Sequence, residues 1–213
     1  MIIVLMGAPG AGKGTQADIL VGEEGYRKIS TGDALRKHIK MGTEIGKKAE
    51  SIMAAGKLVP DPVLLEILKQ EIGDNAKEVI LMDGYPRNVA QAETLQTVSS
   101  IHKVKGAVFL EVAKEELIAR ISGRRVCQGC AATFHVSANP SKKGDKCEKC
   151  GGVLAQRPDD TSERVKVRLE VFEKDTKPVL DFYRQKKLLT TVDANGTKEE
   201  IYKAFKQAVK KLM

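Results

Sequence analysis

One stretch limits what this chain can fold into more than any other. Gly7-Ala-Pro-Gly-Ala-Gly-Lys-Gly-Thr15 directly follows the apolar run Ile2 to Met6 and opens a helical pattern running from Lys13 to Glu24. Glycines at this spacing let the backbone curl until successive N–H groups converge on a phosphate. The following helix adds the positive end of its dipole, and Lys13 adds a full charge. Gly14 stands between Lys13 and Thr15, one residue more than the general phosphate-loop pattern allows. The magnesium-binding role usual for such a threonine therefore does not follow from the pattern alone.

The rest of the chain alternates in the same way. Residues 2–6, 28–30, 79–83, 107–112 and 188–193 read as strands. Between them, 13–24, 34–55 (broken at Gly42), 62–72, 89–102 and 114–122 read as helices. Thr161 to Lys187 continues as helix with a kink or break at Pro178, and Ile201, Ala204, Phe205, Ala208, Val209 and Leu212 form the stripe of a last helix. This order implies an α/β fold: a five-stranded parallel sheet of the phosphate-loop NTPase type, flanked by helices on both faces. With no tryptophan and aromatics at 4% of 213 residues, its core must be aliphatic. No apolar run approaches the ~18 to 20 residues of a membrane span, and the N-terminus has no basic leader, so a cytoplasmic protein without a membrane partner is expected. The formal charge of +8 suits polyanionic partners.

Ligands of open parallel sheets bind beyond the carboxyl ends of the strands. Two motifs lie there: Ser30-Thr-Gly-Asp33 with Arg36 one turn further, and Asp83-Gly-Tyr-Pro-Arg87. Asp83 is placed to order a Mg²⁺ ion, and Arg36 and Arg87 to grip a second phosphate. Taken singly, Asp83 reads as a helix cap and Arg36 as a solvated charge; their coincidence argues for a site. Arg120, Arg124 and Arg125 precede, and Arg157, Arg164 and Arg168 follow, a segment from Gly123 to Asp160 that breaks the helical rhythm. Two phosphorylated substrates brought together need such cationic forks. Arg124, Arg157 and Arg168 are the expected catalytic arginines, with Lys13, Arg87 and Asp83. Arg125 and Arg164 are expected to be surface charges.

All four cysteines lie in that segment. Cys127-x-x-Cys130 and Cys147-x-x-Cys150 are separated by 16 residues, the spacing of a tetrahedral zinc site. Four thiolates close the coordination sphere, so one structural Zn²⁺ is expected, with His135 outside it; iron or cobalt are the competing metals. A zinc-ribbon nucleic-acid binder is the rival reading. Against it, the segment has Phe134 as its one aromatic residue and only seven Lys and Arg against four Asp and Glu.

Taken in order, GAPGAGKGT, STGD followed by Arg36, GKLVPD from Gly56, DGYPR followed by Gln91, and GRR from Gly123 resemble the adenylate kinases over the whole chain. The glycine before Thr15 is that family's own form. The resemblance implies a core of residues 1–29, 60–122 and 161–213, an AMP-binding part at 30–59 and a lid at 123–160, of the long zinc-bearing bacterial type. It implies transfer of the terminal phosphoryl group from MgATP to AMP, giving two ADP, by a monomer with no nucleic-acid partner. Carried over residue by residue, it puts ATP on Gly10, Ala11, Gly12, Lys13, Gly14 and Thr15, with Arg120, Arg124, Thr133 and Phe134 from the lid side and Lys198 at the adenine. It puts AMP against Thr31, Arg36, Lys57, Leu58, Val59, Gly84, Tyr85, Pro86, Arg87 and Gln91, with Arg157 and Arg168 spanning both phosphate chains. A kinase for UMP or CMP is the runner-up; the long lid and Thr31 with Gln91 favour AMP by resemblance.

Overall fold

A computed structural model describes residues 1–73, 75, 78–98 and 102–213, with the backbone alone for residue 98. The chain opens with β1 (Ile2–Met6), α1 (Lys13–Glu24), β2 (Arg27–Ser30), α2 (Thr31–Lys40), α3 (Glu44–Ala54), α4 (Asp61–Ile72), β3 (Ile80–Asp83) and α5 (Val89–Val98). It continues through β4 (Val104–Glu111), α6 (Lys114–Ser122), then β5 (Arg124–Cys127), β6 (Thr133–His135) and β7 (Leu154–Ala155). It closes with α7 (Ser162–Val171), α8 (Pro178–Gln185), β8 (Leu189–Asp193) and α9 (Lys198–Lys211). Five parallel strands form one sheet in the order β2-β3-β1-β4-β8, as expected from the alternation. Among the described residues, no helix is long and apolar enough to cross a membrane.

Side chains of a strand alternate between faces, and here both faces are buried. Ile2, Val4 and Met6 join a cluster with α2, α3, α4, α5 and α8, through Leu35, Ala49, Leu68, Leu95 and Tyr183. Ile3 and Leu5 join the opposite cluster with α1, α6, α7 and α9, through Leu20, Ile121, Leu169 and Phe205. Each such aliphatic residue, taken from water, stabilises the fold by roughly 1.5–3 kcal/mol. The register sets Ser30 and Leu5 level with Asp83, so three strand ends share one rim.

Several boundaries differ from the sequence expectations, each for a local reason. Helix α2 begins at Thr31 rather than Ala34, because the Ser30 hydroxyl accepts the Asp33 N–H at 3.3 Å and caps it. Gly42 breaks the stretch as expected, and Thr43 caps α3 by accepting the Gly46 N–H at 3.1 Å. Strand β4 starts at Val104 rather than at residue 107: a bulge beside Ile2 skips exposed Lys105, whose charge hides the strand's start. The helix expected over 89–102 is present as Val89–Val98; 99–101 lie outside the described residues, and His102 is not helical. Before Pro178 the helix widens into one π turn over Phe172–Thr176.

The segment expected to lack helix forms a second, antiparallel sheet, ordered β6-β5-β7. Its core is small: Cys127, Phe134 and Cys147, with Ala132 and Leu154 packed against them.

Candidate functional site

Beyond the carboxyl ends of β1, β2 and β3 lies a cavity of about 930 Å³. The loop after β1 forms its floor. Gly10 there has φ +86°, and a Cβ on it would lie 2.8 Å from Ile121 Cγ1, so only glycine lets the loop rest on α6. Lys13 folds back over this loop, its Nζ donating to Gly7 O at 2.7 Å and Ala8 O at 3.2 Å. Burial draws the Lys13 pKa down to about 8, opposed by nearby Asp83 and reinforced by Arg87, Arg168 and Arg124. Asp83 faces the same loop: a Cβ on Gly14 would lie 3.6 Å from its Oδ2.

The wall built from β2, α2 and β3 carries the second set of expected residues. Thr31 Oγ1 donates to Gly84 O at 2.9 Å, and Arg87 Nε donates to the same carbonyl at 2.7 Å. Burial lowers the Arg87 pKa, as does Arg168 nearby. Arg36 pairs with Asp33 at 2.5 Å, and Arg157 lies 3.6 Å from the same carboxylate. Lys57, Leu58, Val59, Gly84 and Pro86 also line the cavity. Tyr85 and Gln91 do not; both are about 1% exposed and stand behind the wall. Tyr85 sits in the aliphatic core, while Gln91 Oε1 accepts the Arg87 N–H at 2.6 Å and its Nε2 donates to Asp61 Oδ1 at 2.5 Å.

The far side of the cavity is cationic. Arg124 forms a two-point pair with Asp160, Nε to Oδ2 at 2.7 Å and Nη2 to Oδ1 at 2.5 Å. Arg168 Nη1 reaches Asp160 Oδ1 at 2.8 Å and Asp159 Oδ2 at 2.9 Å. Burial pushes the Asp160 carboxyl up, but the two arginines outweigh it and hold it below the ordinary carboxylate range. Burial, then Arg36 and Arg124, pull Arg157 down to about 10, and its buried Nε has no hydrogen-bond partner among the described residues. Arg120 Nη2 donates to Ala194 O at 2.9 Å, and Gln16 Nε2 donates to Lys198 O at 3.4 Å, so both line the cavity near α9. Thr133 and Phe134 line its upper edge, Phe134 with most of its ring in the small lid core. Arg125 and Arg164 lie outside the lining; Arg164 is exposed, while Arg125 is half-buried and donates to Arg124 O at 2.8 Å. Lys40 Nζ donates to Gln128 O at 3.0 Å, joining α2 to the first cysteine pair above the cavity.

The four cysteine sulfurs lie within 4.8 Å of one another, and all are free thiols. Cys127 Sγ is 3.4 Å from Cys150 Sγ, and Cys130 Sγ is 3.6 Å from Cys147 Sγ. Tetrahedral zinc with ~2.3 Å bonds spaces its sulfurs about 3.8 Å apart, so the donor set fits such an ion. A Cβ on Gly152 would lie 2.9 Å from Cys127 Sγ, which makes glycine necessary where the two turns meet. Backbone N–H groups of Cys130 and Gly129 draw the Cys127 thiol below its ordinary pKa, easing thiolate formation. His135 is outside the cluster: its Nδ1 accepts N–H bonds from Ser137 and Ala138 at 3.2 and 3.0 Å.

Sequence reasoning missed the acids that organise these arginines. Asp159 and Asp160 directly follow Arg157-Pro158, and the run of two acids among cations was the available signal. Asp61 had a weaker one, since the first turn of a helix explains an acid there by itself.

The model of the adenylate kinase family matches residues 5–188. Among curated proteins, "Adenylate kinase" of Caldicellulosiruptor saccharolyticus is 45% identical over 100% of this chain and 99% of its own length. That of Methanocella arvoryzae is 43% identical with 100% of both chains covered. That of Methanosarcina barkeri is 45% identical with 99% of each covered.

Proposed function

Because this chain belongs to the adenylate kinase family, we propose that its cavity holds ATP and AMP together, phosphate chains facing. The enzyme catalyses ATP + AMP ⇌ 2 ADP. An oxygen of the AMP phosphate attacks the terminal phosphorus of ATP, the bond to the bridging oxygen breaks, and that oxygen leaves on ADP. No protein nucleophile is needed, so the residues act by positioning and by stabilising charge.

ATP lies on Gly10 to Thr15, and Lys13 exchanges its carbonyl partners for the transferring phosphoryl group. Mg²⁺ arrives with ATP as part of the substrate, and Asp83, close to Gly14, would hold its water shell. Arg120, Arg124, Thr133, Phe134 and the Lys198 backbone complete the ATP side. Arg36 and Arg87 grip the AMP phosphate, with Thr31, Lys57 to Val59 and Gly84 along the nucleoside; Tyr85 and Gln91 support this wall from behind. Arg157 and Arg168 span the two chains, and the orphaned Arg157 Nε gains an anionic acceptor. The division is a core of 1–29, 60–122 and 161–213, an AMP-binding part at 30–59 and a lid at 123–160. The lid's cysteines hold one structural zinc, whose four thiolates leave no position open for chemistry. A monomer working in the cytoplasm completes the proposal.

The observation that carries this reading is the convergence of Lys13, Arg36, Arg87, Arg124, Arg157 and Arg168 on one cavity at the strand ends. Nothing in the site or the relatives' names favours UMP or CMP, or a nucleic acid, as the acceptor. The test compares AMP, UMP, CMP and GMP as acceptors at fixed MgATP. AMP should exceed the others in kcat/KM by at least tenfold, and equal use of UMP or CMP would overturn the assignment.

A further inference from the structure

Pro178 plays no part in the site as described, yet it alters the helix beside it. Proline offers no N–H, and immediately before it the helix widens: the Lys177 N–H donates to Phe172 O at 2.8 Å, five residues back instead of four. Hydroxyls inside helices commonly bond back to the carbonyl four residues earlier. Thr94 does so to Ala90 O at 2.9 Å, and Ser122 to Ile118 O at 2.8 Å. Thr176, inside the widened turn, does not. Its Oγ1 crosses 89 residues of sequence to donate to Arg87 O at 2.9 Å.

That bond completes a grip on one residue. The Arg87 N–H donates to Gln91 Oε1 at 2.6 Å, and Gln91 is itself held by Asp61. The backbone of Arg87 is thus tied on its N–H side and on its carbonyl side. Its side chain is held by one bond only, Nε to Gly84 O, and its terminal nitrogens make no hydrogen bond among the described residues. Arg168 and Arg36 repel the guanidinium while Asp83 and Asp159 attract it, and among the described residues neither acid forms an ion pair with it that would fix its position. Placement therefore depends strongly on the backbone, whose N–H and carbonyl are both bonded.

We infer that Thr176 is a positioning residue for Arg87: the π turn before Pro178 aims its hydroxyl at the Arg87 carbonyl and fixes where the guanidinium meets the acceptor phosphate. The inference rests on the reading of Arg87 as a phosphate-gripping residue. It also ties Arg87 to the helical run that carries Arg168, so the arginines on the two sides of the cavity keep a set spacing. Misplacement of a reacting group by a fraction of a bond length is costly in rate, which gives a single neutral hydrogen bond leverage here.

Thr176→Val keeps the branched shape and removes the hydroxyl, and Thr176→Ser restores it. In the valine variant kcat/KM for AMP should fall about three- to tenfold, the measure of one neutral hydrogen bond, with KM for ATP unchanged. The serine variant should recover most of the loss. In an Arg87→Ala background, assayed at high enzyme concentration, adding Thr176→Val should cost nothing further, because the residue it positions is gone. Should the valine variant not fold, Thr176→Ala supplies the same comparison. Unchanged AMP kinetics in a hydroxyl-less variant, while Arg87→Ala alone is crippled, would overturn the inference and leave the role of Arg87 standing. An equal loss in both backgrounds would also overturn it, by showing that Thr176 acts elsewhere. Normal turnover in Arg87→Ala alone would remove the reading beneath it.

Discussion

The two sheets of this molecule are held together by different physics. The five-stranded sheet buries aliphatic side chains on both faces, with Ile2, Ile3 and Val4 wholly inaccessible, and it needs no other fastening. The core cluster beside the three-stranded sheet has three buried residues, two of them cysteines, and Val126 is the one other buried apolar side chain of its strands. A segment that small does not bury enough apolar surface to order itself, and small domains of this kind rely on metals or disulfides. The difference is functional as well. The large sheet carries the phosphate loop on the cavity's floor, while the small sheet contributes Arg124, Thr133 and Phe134 to its lining. Asp160 lies at the join, pairing Arg124 of the small sheet with Arg168 of α7.

The largest effect should come from the side of the large sheet. Lys13→Ala and Arg87→Ala remove cations from the cavity without touching the core, so each should lower kcat/KM by about 10²–10³, or about 3–4 kcal/mol, at unchanged thermal unfolding. Near-normal turnover in either would mean that the phosphates do not lie there.

The join should be next. Asp160 is fully buried, whereas Arg124 and Arg168 remain 16–17% exposed. Asp160→Ala should therefore cost about 3 kcal/mol, the low end for a broken buried pair, since the arginines can regain some water. Denaturant unfolding followed by a probe in the small sheet would read this loss, and a loss shared equally by the large sheet would erase the distinction between them.

A smaller effect follows from Lys13 itself. Its pKa near 8 belongs to the free enzyme, and bound phosphates favour the protonated form. The charge is present below about pH 8 and lost above it, so kcat/KM for ATP should fall up to tenfold per pH unit there while kcat stays level. A kcat/KM that is flat to pH 10 would show that Lys13 keeps its proton in the free enzyme.

The same contrast governs what could be read from the amino-acid sequence. The phosphate loop and the cysteine pairs are local patterns, each complete within a few neighbouring residues, and the central strands are apolar on both faces. The strands of the small sheet escaped notice because β6 and β7 are three and two residues long, too short to show alternation. The start of β4 was hidden by charged Lys103 and Lys105. Asp160, Asp61 and Thr176 each act through a partner 30 or more residues distant, 36, 30 and 89 respectively for Arg124, Gln91 and Arg87, and only Asp160 has a nearer one, Arg168, eight residues on. The position of Gln91 behind the wall depends in the same way on Asp61, which closes a different motif, GKLVPD, 30 residues earlier.

The small sheet should depend on its cysteine cluster and the large sheet should not. Amide hydrogen exchange, resolved by peptide, before and after treatment with a thiol-modifying reagent and a chelator tests this directly. Peptides covering β5, β6 and β7 should lose their protection, while those covering β1, β3 and β4 keep theirs. Protection retained in the small sheet after treatment, or lost together in both sheets, would show that the cysteine cluster does not hold the small sheet in particular.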